Sequence, residues 1–166
     1  MTGPSSVIGT ILAHPRPLGY AFAMRAEENK RIVAAMWECL YRKDFDGVAS
    51  YIADDGHYED VPAPDAGAVG PANVVKRLRL GLDPVVRFEH DIHRVVAEGD
   101  DVIVEHTETW HFETGEQLRN QFVTVHVVKD GKIALWRDYW DLNTMMSQAP
   151  PWWIERLAKH DGSEWS

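Results

Sequence analysis

The sequence predicts an α+β fold in which N-terminal helices pack on one face of a curved, mainly antiparallel sheet. Two observations favour this class. Apolar residues recur with helical spacing in the first half of the chain, and from Val85 onward they alternate with a period of two. Turn sequences rich in glycine and aspartate separate the alternating segments, which is typical of consecutive hairpins. A length of 166 residues suits one domain with its own core.

The first half of the chain contains three predicted helices. Helical spacing starts near Met24, where an apolar stripe is flanked by charged residues. Asp44 begins a shorter helix, and Pro71 suits the first turn of the third. The predicted elements of this half are helices over about 24–40, 44–54 and 71–81 and a short strand over 57–61.

The second half is predicted to be a four-stranded antiparallel meander, closed by a short helix. The predicted strands cover about 85–97, 101–112, 117–129 and 132–141, and the helix covers about 151–159. We divide the chain into an N-terminal arm (1–22) rich in glycine, proline and serine, a domain (23–146) and a C-terminal extension (147–166). The extension contains Trp152 and Trp153, for which a lid over a pocket and a dimer contact are both open.

Composition excludes several classes of partner. Lys and Arg number 17 against 26 Asp and Glu, so the net charge of −9 argues against nucleic acid. The one dense basic cluster, residues 76–79, is interpreted as a solvated helix face. Cys39 is the single cysteine, so no intrachain disulfide is possible. We find no apolar run of membrane-spanning length, no signal-peptide pattern, no phosphate-binding loop and no metal motif. A cytoplasmic protein without membrane partner, metal or cofactor is predicted.

Alternation assigns the strand side chains to two faces of the sheet. On three of the long strands, one face combines apolar and aromatic residues with polar ones. The predicted members of these faces are Val86, Phe88, His90 and Ile92 on the first strand, Val102, Val104, His106, Glu108, Trp110 and Phe112 on the second, and Ala134, Trp136, Asp138 and Trp140 on the last. These faces are expected to line a pocket between helices and sheet.

Two carboxylates on this inner face, Glu108 and Asp138, suggest acid–base chemistry. Burial raises the pKa of a carboxyl group toward the range useful for proton transfer. Two carboxyl groups in different surroundings can then take separate acid and base roles. His106 lies two residues from Glu108 on the same face, and we expect it to hydrogen-bond one of the two carboxylates. A satisfied buried polar network is the alternative interpretation of this pattern.

Several segments resemble limonene-1,2-epoxide hydrolases and their SnoaL-like relatives of the NTF2-like superfamily. Residues 136–142, after the turn at 130–133, resemble the closing strand of that family. Residues 58–62 resemble its Tyr-x-Asn-x-Pro segment, and residues 104–108 resemble its Thr-Glu-Arg-x-Asp strand. The likeness covers about residues 28–146. It implies a cone-shaped fold with a deep apolar pocket, and a homodimer.

The resemblance also implies roles for five residues. Asp138 matches the aspartate that activates water, and Tyr58 matches the tyrosine that positions it. Glu108 stands where an acidic Asp protonates the epoxide oxygen. His106 stands where a bridging Arg is expected, and Asp60 stands where an Asn is expected. Histidine lacks the bidentate fork of arginine, but its ordinary pKa suits proton shuttling.

The predicted function is a cofactor-independent acid–base enzyme that adds water to a small hydrophobic substrate of aromatic or terpenoid size, in the manner of an epoxide hydrolase. The side chains expected to contact that substrate are Phe88, His90, Trp110, Trp136 and Trp140. In a second interpretation, the same pocket runs a lyase, dehydratase or isomerase reaction on a lignin-derived diaryl compound, polyketide or steroid. In a third, the chain is a non-catalytic binding or dimerisation module. The expected partners are a small hydrophobic molecule and a second copy of the chain.

Overall fold

Helices from the start of the chain pack on a sheet formed mostly by the rest. The computed structural model describes residues 18–63 and 67–160. Within these ranges, five helices and a six-stranded mixed sheet confirm the α+β class. Residues 1–17 of the predicted N-terminal arm and residues 161–166 of the predicted extension lie outside the described residues.

The three predicted N-terminal helices are present. They are α1 (Leu18–Tyr41), α2 (Phe45–Tyr51) and α3 (Pro71–Leu82). Helix α1 begins earlier than the predicted start near Met24, because the helix-breaking prolines of this region end at Pro17 in the sequence. The side chain of Asp44 caps α2 by accepting a hydrogen bond from the Gly47 backbone N–H at 2.9 Å.

Six strands form one sheet. They are β1 (Ile52–Asp60), β2 (Ala68–Val69), β3 (Val85–Glu98), β4 (Asp101–Phe112), β5 (Gln117–Lys129) and β6 (Lys132–Trp140), in the order β2-β1-β6-β5-β4-β3. The antiparallel meander from β3 to β6 confirms the prediction. The parallel pairing of β1 with β6 and the short strand β2 were not predicted.

The strand order brings the predicted site residues onto neighbouring strands. Asp60 on β1 pairs with Asp138 on β6, and Asp138 pairs with Thr124 on β5. Glu108 on β4 pairs with Asn120, also on β5. The three acidic side chains therefore lie along the inner face of a four-strand stretch of the sheet.

The predicted inner face is correct on β4 and wrong in part on the neighbouring β3. All six predicted inner residues of β4 are buried. On β3, Val86 and Ile92 were expected inside, but they are 60% and 45% exposed. The register shift between Val85 and Arg87 makes Val86 the extra residue of a bulge, so its side chain leaves the inner face. Ile92 pairs with the buried His106 and so lies on the predicted face, but it is exposed because β3 is the edge strand of the sheet. Ile133, expected on the outer face of β6, is buried beside a similar shift.

Two short helices follow the sheet. Helix α4 (Leu142–Gln148) was not predicted, whereas α5 (Pro151–Leu157) was. The ring of Trp153 on α5 is buried against Trp110 and Phe112, and its Nε1 donates to the Gly81 carbonyl oxygen at 2.9 Å. Helix α5 is thereby anchored to the sheet and to the end of α3. No helix in residues 18–63 and 67–160 combines the length and apolar character needed to cross a membrane.

Candidate active site

A cavity of about 490 Å³ lies between the inner face of the sheet and helices α1, α3, α4 and α5. Most of its lining is apolar, and aromatic rings contribute much of it: Trp37, Phe88, Trp110, Trp136, Trp140 and Trp153. Four charged residues also reach it: Asp60, Arg77, Glu108 and Asp138. Mainly apolar walls with a few convergent polar groups are typical of small-molecule sites.

Glu108 is buried and receives a hydrogen bond on each carboxylate oxygen. Trp110 Nε1 donates to Oε2 at 2.6 Å, and the Tyr41 hydroxyl donates to Oε1 at 2.5 Å. Burial raises the pKa of Glu108 to about 7, although both hydrogen bonds act in the opposite direction. A carboxyl group with this pKa exchanges its proton near neutral pH, as a general acid requires.

Asp138 is buried on the neighbouring part of the same face. Trp136 Nε1 donates to Oδ1 at 2.5 Å, and the Tyr58 hydroxyl lies 3.2 Å from Oδ2. Burial raises the pKa of Asp138 well above its usual value, and the negative charges of Asp60 and Glu108 raise it further. Each buried carboxyl group therefore pairs with a tryptophan two residues away on its own strand.

Asp60 lies at the end of β1 and is held by three donors. Arg77 Nη2 is 2.9 Å from Oδ2, Trp140 Nε1 is 2.8 Å from Oδ1, and the Tyr58 hydroxyl is 3.1 Å from Oδ2. The Arg77 guanidinium also lies 5.5 Å from the centre of the Tyr58 ring. The site therefore contains one arginine–aspartate ion pair beside the two buried carboxyl groups.

The interpretation of residues 76–79 as a solvated face is wrong for Arg77. Its side chain is 8% exposed and forms the ion pair with Asp60. The helical spacing indicates a buried position, because Arg77 lies three residues after the buried Val74 and directly before the buried Leu78. A basic residue on the apolar stripe of a helix needs an anionic partner, and Asp60 supplies it.

The expected hydrogen bond from His106 to a carboxylate is wrong. His106 Nδ1 instead lies 3.1 Å from Nε2 of His90, and in the described part of the chain Nε2 of His106 has no hydrogen-bond partner. Two residues along a strand span about 7 Å. The indole of Trp110 reaches that far to Glu108, whereas the shorter imidazole of His106 turns to the adjacent strand.

Neither His106 nor His90 is among the residues that line the cavity, so the contact expected between His90 and substrate stays a prediction without support from the lining. The Tyr41 ring packs over His90 with centroids 3.8 Å apart, and Trp37 contacts His106 edge-on at 4.7 Å. Burial lowers the pKa of His90 to about 4 and that of His106 to about 3. Both rings are neutral at physiological pH, so His106 does not titrate in the range expected of a shuttle.

The other predicted residues meet at the cavity. Tyr58, Asp60, Glu108 and Asp138 all line it, as do the predicted aromatic walls Phe88, Trp110, Trp136 and Trp140. Tyr41 was not identified from the sequence. Its position four residues after Trp37, on the apolar stripe of α1, could have indicated that both rings lie on the same side of the helix. For Trp153, where a lid over the pocket and a dimer contact were both open, the ring is part of the cavity lining.

Within the described ranges, no group of three or more histidine, cysteine or acidic side chains is arranged to hold a metal ion. The chemistry that these ranges themselves offer is proton transfer between carboxyl groups. Two such groups with raised pKa values face one apolar space, and the negative charge of Glu108 contributes to the raised pKa of Asp138.

Comparison with known proteins identifies relatives of the whole domain. Residues 27–151 match the model of the limonene-1,2-epoxide hydrolase catalytic domain. Over 118 residues the chain is 36% identical to epoxide hydrolase EphG of Mycobacterium tuberculosis, covering 68% of this chain and 73% of that protein.

Solved structures agree on the fold. An LEH-like epoxide hydrolase of M. tuberculosis superposes with a TM-score of 0.65 at 31% identity, over 80% of this chain and 94% of that one. A SnoaL-like polyketide cyclase from Shewanella denitrificans, so named provisionally, gives a TM-score of 0.66 at 15% identity, over 72% and 95% of the two chains. The predicted NTF2-like, SnoaL-like fold is confirmed by these similarities.

Proposed function

The chain belongs to the limonene-1,2-epoxide hydrolase family, and from this premise we propose that it adds water to the epoxide ring of a small hydrophobic molecule without a cofactor. The observation that carries the proposal is the pair of buried carboxyl groups, Glu108 and Asp138, that face one apolar cavity. Hydrolysis of an epoxide needs a base for water and an acid for the ring oxygen, and this pair supplies both.

In the proposed reaction, Asp138 is the base and Glu108 is the acid. Asp138 accepts a proton from water while the water oxygen attacks one epoxide carbon. The bond between that carbon and the ring oxygen breaks, and Glu108 donates its proton to the departing oxygen. Tyr58 lies within hydrogen-bond distance of Asp138 and is placed to orient the water. The reactive state has Asp138 ionised and Glu108 protonated, and a pKa of about 7 for Glu108 keeps that proton available at neutral pH.

The lining of the cavity supports a substrate of aromatic or terpenoid size. Trp110, Trp136 and Phe88 offer ring faces and edges that pack on hydrocarbon. A volume of about 490 Å³ falls within the usual range for small-molecule sites. Glu108 and Asp138 lie on the sheet side of the cavity, so the epoxide of the substrate faces the sheet while its apolar body packs on the surrounding rings and on the apolar side chains of the helices.

A panel of terpenoid and aryl epoxides tests the proposal. We expect the wild-type chain to convert at least one of them to a diol, and we expect Asp138→Asn to lower kcat by about 10²- to 10⁴-fold, the usual contribution of a general base. Asp101→Asn, an exposed aspartate on β4, is the matched control and should keep the wild-type rate. Failure of the wild-type chain on every epoxide, or full activity of Asp138→Asn, contradicts the proposal.

A lyase or isomerase reaction is the second candidate function. It is favoured by one observation: in the described residues no arginine joins Glu108 to Asp138, since Arg77 pairs with Asp60 instead. Here Asp138 would remove a proton from carbon and Glu108 would protonate the leaving oxygen of a ring-bearing substrate. The product mass separates the two reactions, because hydrolysis adds one water and elimination or isomerisation does not. A binding module would retain the ligand without any turnover.

We further propose that the chain acts as a homodimer. Val96, Ile103 and Tyr139 are exposed large apolar or aromatic residues on the sheet, and such surfaces commonly mark protein contacts. Light scattering of the purified chain measures its molar mass in solution. A mass twice that of the monomer is expected, and a monomer at all concentrations contradicts this part of the proposal.

A further inference from the structure

The hydroxyl group of Tyr58 lies between two carboxyl groups. Its oxygen is 3.2 Å from Oδ2 of Asp138 and 3.1 Å from Oδ2 of Asp60. A phenol hydroxyl has one hydrogen to donate, and it accepts through its oxygen lone pairs. Two well-aligned hydrogen bonds at this oxygen therefore require that one of the two carboxyl groups carries a proton and donates it to Tyr58.

The surroundings decide which carboxyl group carries that proton. Asp60 faces the Arg77 guanidinium, which stays charged at any pH relevant to a folded protein, and it also accepts from Trp140. The hydrogen-bond partners of Asp138 in the described ranges, Trp136 and Tyr58, are neutral. When one of the two groups carries a proton, as after the attack of water on the epoxide, the proton is therefore on Asp138 and the Tyr58 hydrogen points toward Asp60.

Exposure increases along this row of groups. Asp138 is 6% exposed, Tyr58 is buried, and the Asp60 side chain is 21% exposed. Asp60 is therefore the member of the row that water reaches. A proton that arrives at Asp60 can therefore pass directly to solvent.

We propose that Asp138, Tyr58 and Asp60 form a proton relay, and that Arg77 is its positioning residue. The relay rests on the proposed hydrolysis, in which Asp138 takes one proton from water in each turnover. Asp138 passes this proton to the Tyr58 oxygen while Tyr58 passes its own hydrogen to Asp60, and Asp60 gives it to solvent water or buffer. One proton leaves through Asp60, and Glu108 takes one proton back from solvent after the diol has left, so the whole turnover changes neither the number of protons nor that of electrons. Asp138 is thus ionised again by way of Asp60, and its proton does not have to cross the substrate to reach Glu108.

The relay predicts a distinctive behaviour for Asp60→Asn. An amide still accepts from Trp140 and Arg77 but is not a site for the proton. Proton release follows the chemical step, so kcat in dilute buffer should fall about 10- to 100-fold while kcat/KM changes much less. Raising the concentration of a small buffer such as imidazole should restore kcat, and the wild-type rate should not depend on buffer concentration. Asp101→Asn is the matched control and should behave as wild type.

A second measurement needs no substrate. Infrared difference spectra against Asp138→Asn report the carboxyl stretch of protonated Asp138 as a function of pH. Removing the negative charge of Asp60 should lower the pH at which Asp138 ionises, by about one unit or more. Arg77→Gln should make kcat buffer-dependent as well, because Asp60 then loses the ion pair that holds its carboxylate beside Tyr58, and Arg77→Lys should restore much of the wild-type behaviour.

Two results overturn the relay. One is a loss in Asp60→Asn that affects kcat and kcat/KM equally at every buffer concentration. The other is an Asp138 titration that Asp60→Asn leaves unchanged, since the negative charge would then not act on Asp138. Failure of the proposed function looks different: the wild-type chain would hydrolyse no epoxide, while the infrared titration of Asp138 would still shift in Asp60→Asn.

Discussion

Substituting Tyr41 by phenylalanine should move the alkaline limb of the pH–rate profile upward. The Tyr41 hydroxyl donates to Oε1 of Glu108 at 2.5 Å, and this bond favours the ionised form of the carboxyl group. Tyr41→Phe removes the donor but keeps the ring, which packs on His90 and Trp37. The bond from Trp110 to Oε2 also remains. The substitution therefore isolates one hydrogen bond to the proposed acid.

The size of the shift follows from the strength of that bond. A hydrogen bond to a charged group contributes about 1.5–3 kcal/mol. One pKa unit corresponds to about 1.4 kcal/mol, so losing the bond raises the pKa by about 1–2 units. The pKa of Glu108 should increase from about 7 to about 8–9. Because Glu108 must be protonated to act as acid, the rate should persist to a pH higher by the same amount.

The assay is the pH dependence of kcat/KM on the best epoxide substrate, together with a carbon-13 NMR titration of glutamate side chains in the substrate-free protein. Glu108→Gln assigns the resonance. Tyr139→Phe on the outer face of β6 is the matched control, and its profile should coincide with wild type. An alkaline limb in Tyr41→Phe that stays near pH 7, or that moves to lower pH, would refute the assigned role of Glu108 and its bond to Tyr41.

Two further predictions concern stability. Burial lowers the pKa of His126 to about 3, whereas the unfolded chain protonates a histidine below about pH 6.5, so acid favours unfolding. At pH 5 this costs about 2 kcal/mol, and in urea titrations His126→Gln should lose that much less stability than wild type between pH 7 and pH 5; equal losses would contradict it. Trp153→Ala removes a ring buried against Trp110 and should cost about 3–5 kcal/mol of unfolding free energy, more than Trp152→Ala at the half-buried neighbour. Thermal unfolding checks the order, and an equal or reversed order would contradict the packing of α5.

Periodicity predicted those parts of the site that depend on one strand. Strict alternation along β4 placed Glu108 and Trp110 on the buried face, and the same rule placed Asp138 beside Trp136. It failed at Val86 because a bulge inserts this residue between Val85 and Arg87. Alternation gave the correct face for Ile92, but it does not show that this residue is exposed on an edge strand. Alternation predicts on which face of the sheet a side chain lies, but not how far that side chain extends. For this reason the hydrogen bond expected from His106 to a carboxylate was wrong.

Contacts between elements distant in sequence were beyond this reasoning. The parallel pairing of β1 with β6 sets Asp60 beside Asp138, and only the folded chain shows that pairing. Arg77 reached Asp60 from a helix whose basic residues resembled a solvated face. Family resemblance supplied the roles of Tyr58 and Asp138. The ion pair at Asp60 lies outside that resemblance, and it is the feature on which the proposed relay depends.

Labelled water tests most directly whether Asp138 activates water for attack on an epoxide. In a single turnover, with the enzyme in excess over the epoxide and water enriched in heavy oxygen, mass spectrometry counts the labelled atoms in the product. Direct attack by water predicts a diol that carries one heavy oxygen in that first turnover. A diol without label would mean that a carboxylate oxygen of the enzyme attacked the ring, and a product with no added water would mean elimination or isomerisation. Either of these results would contradict water activation by Asp138.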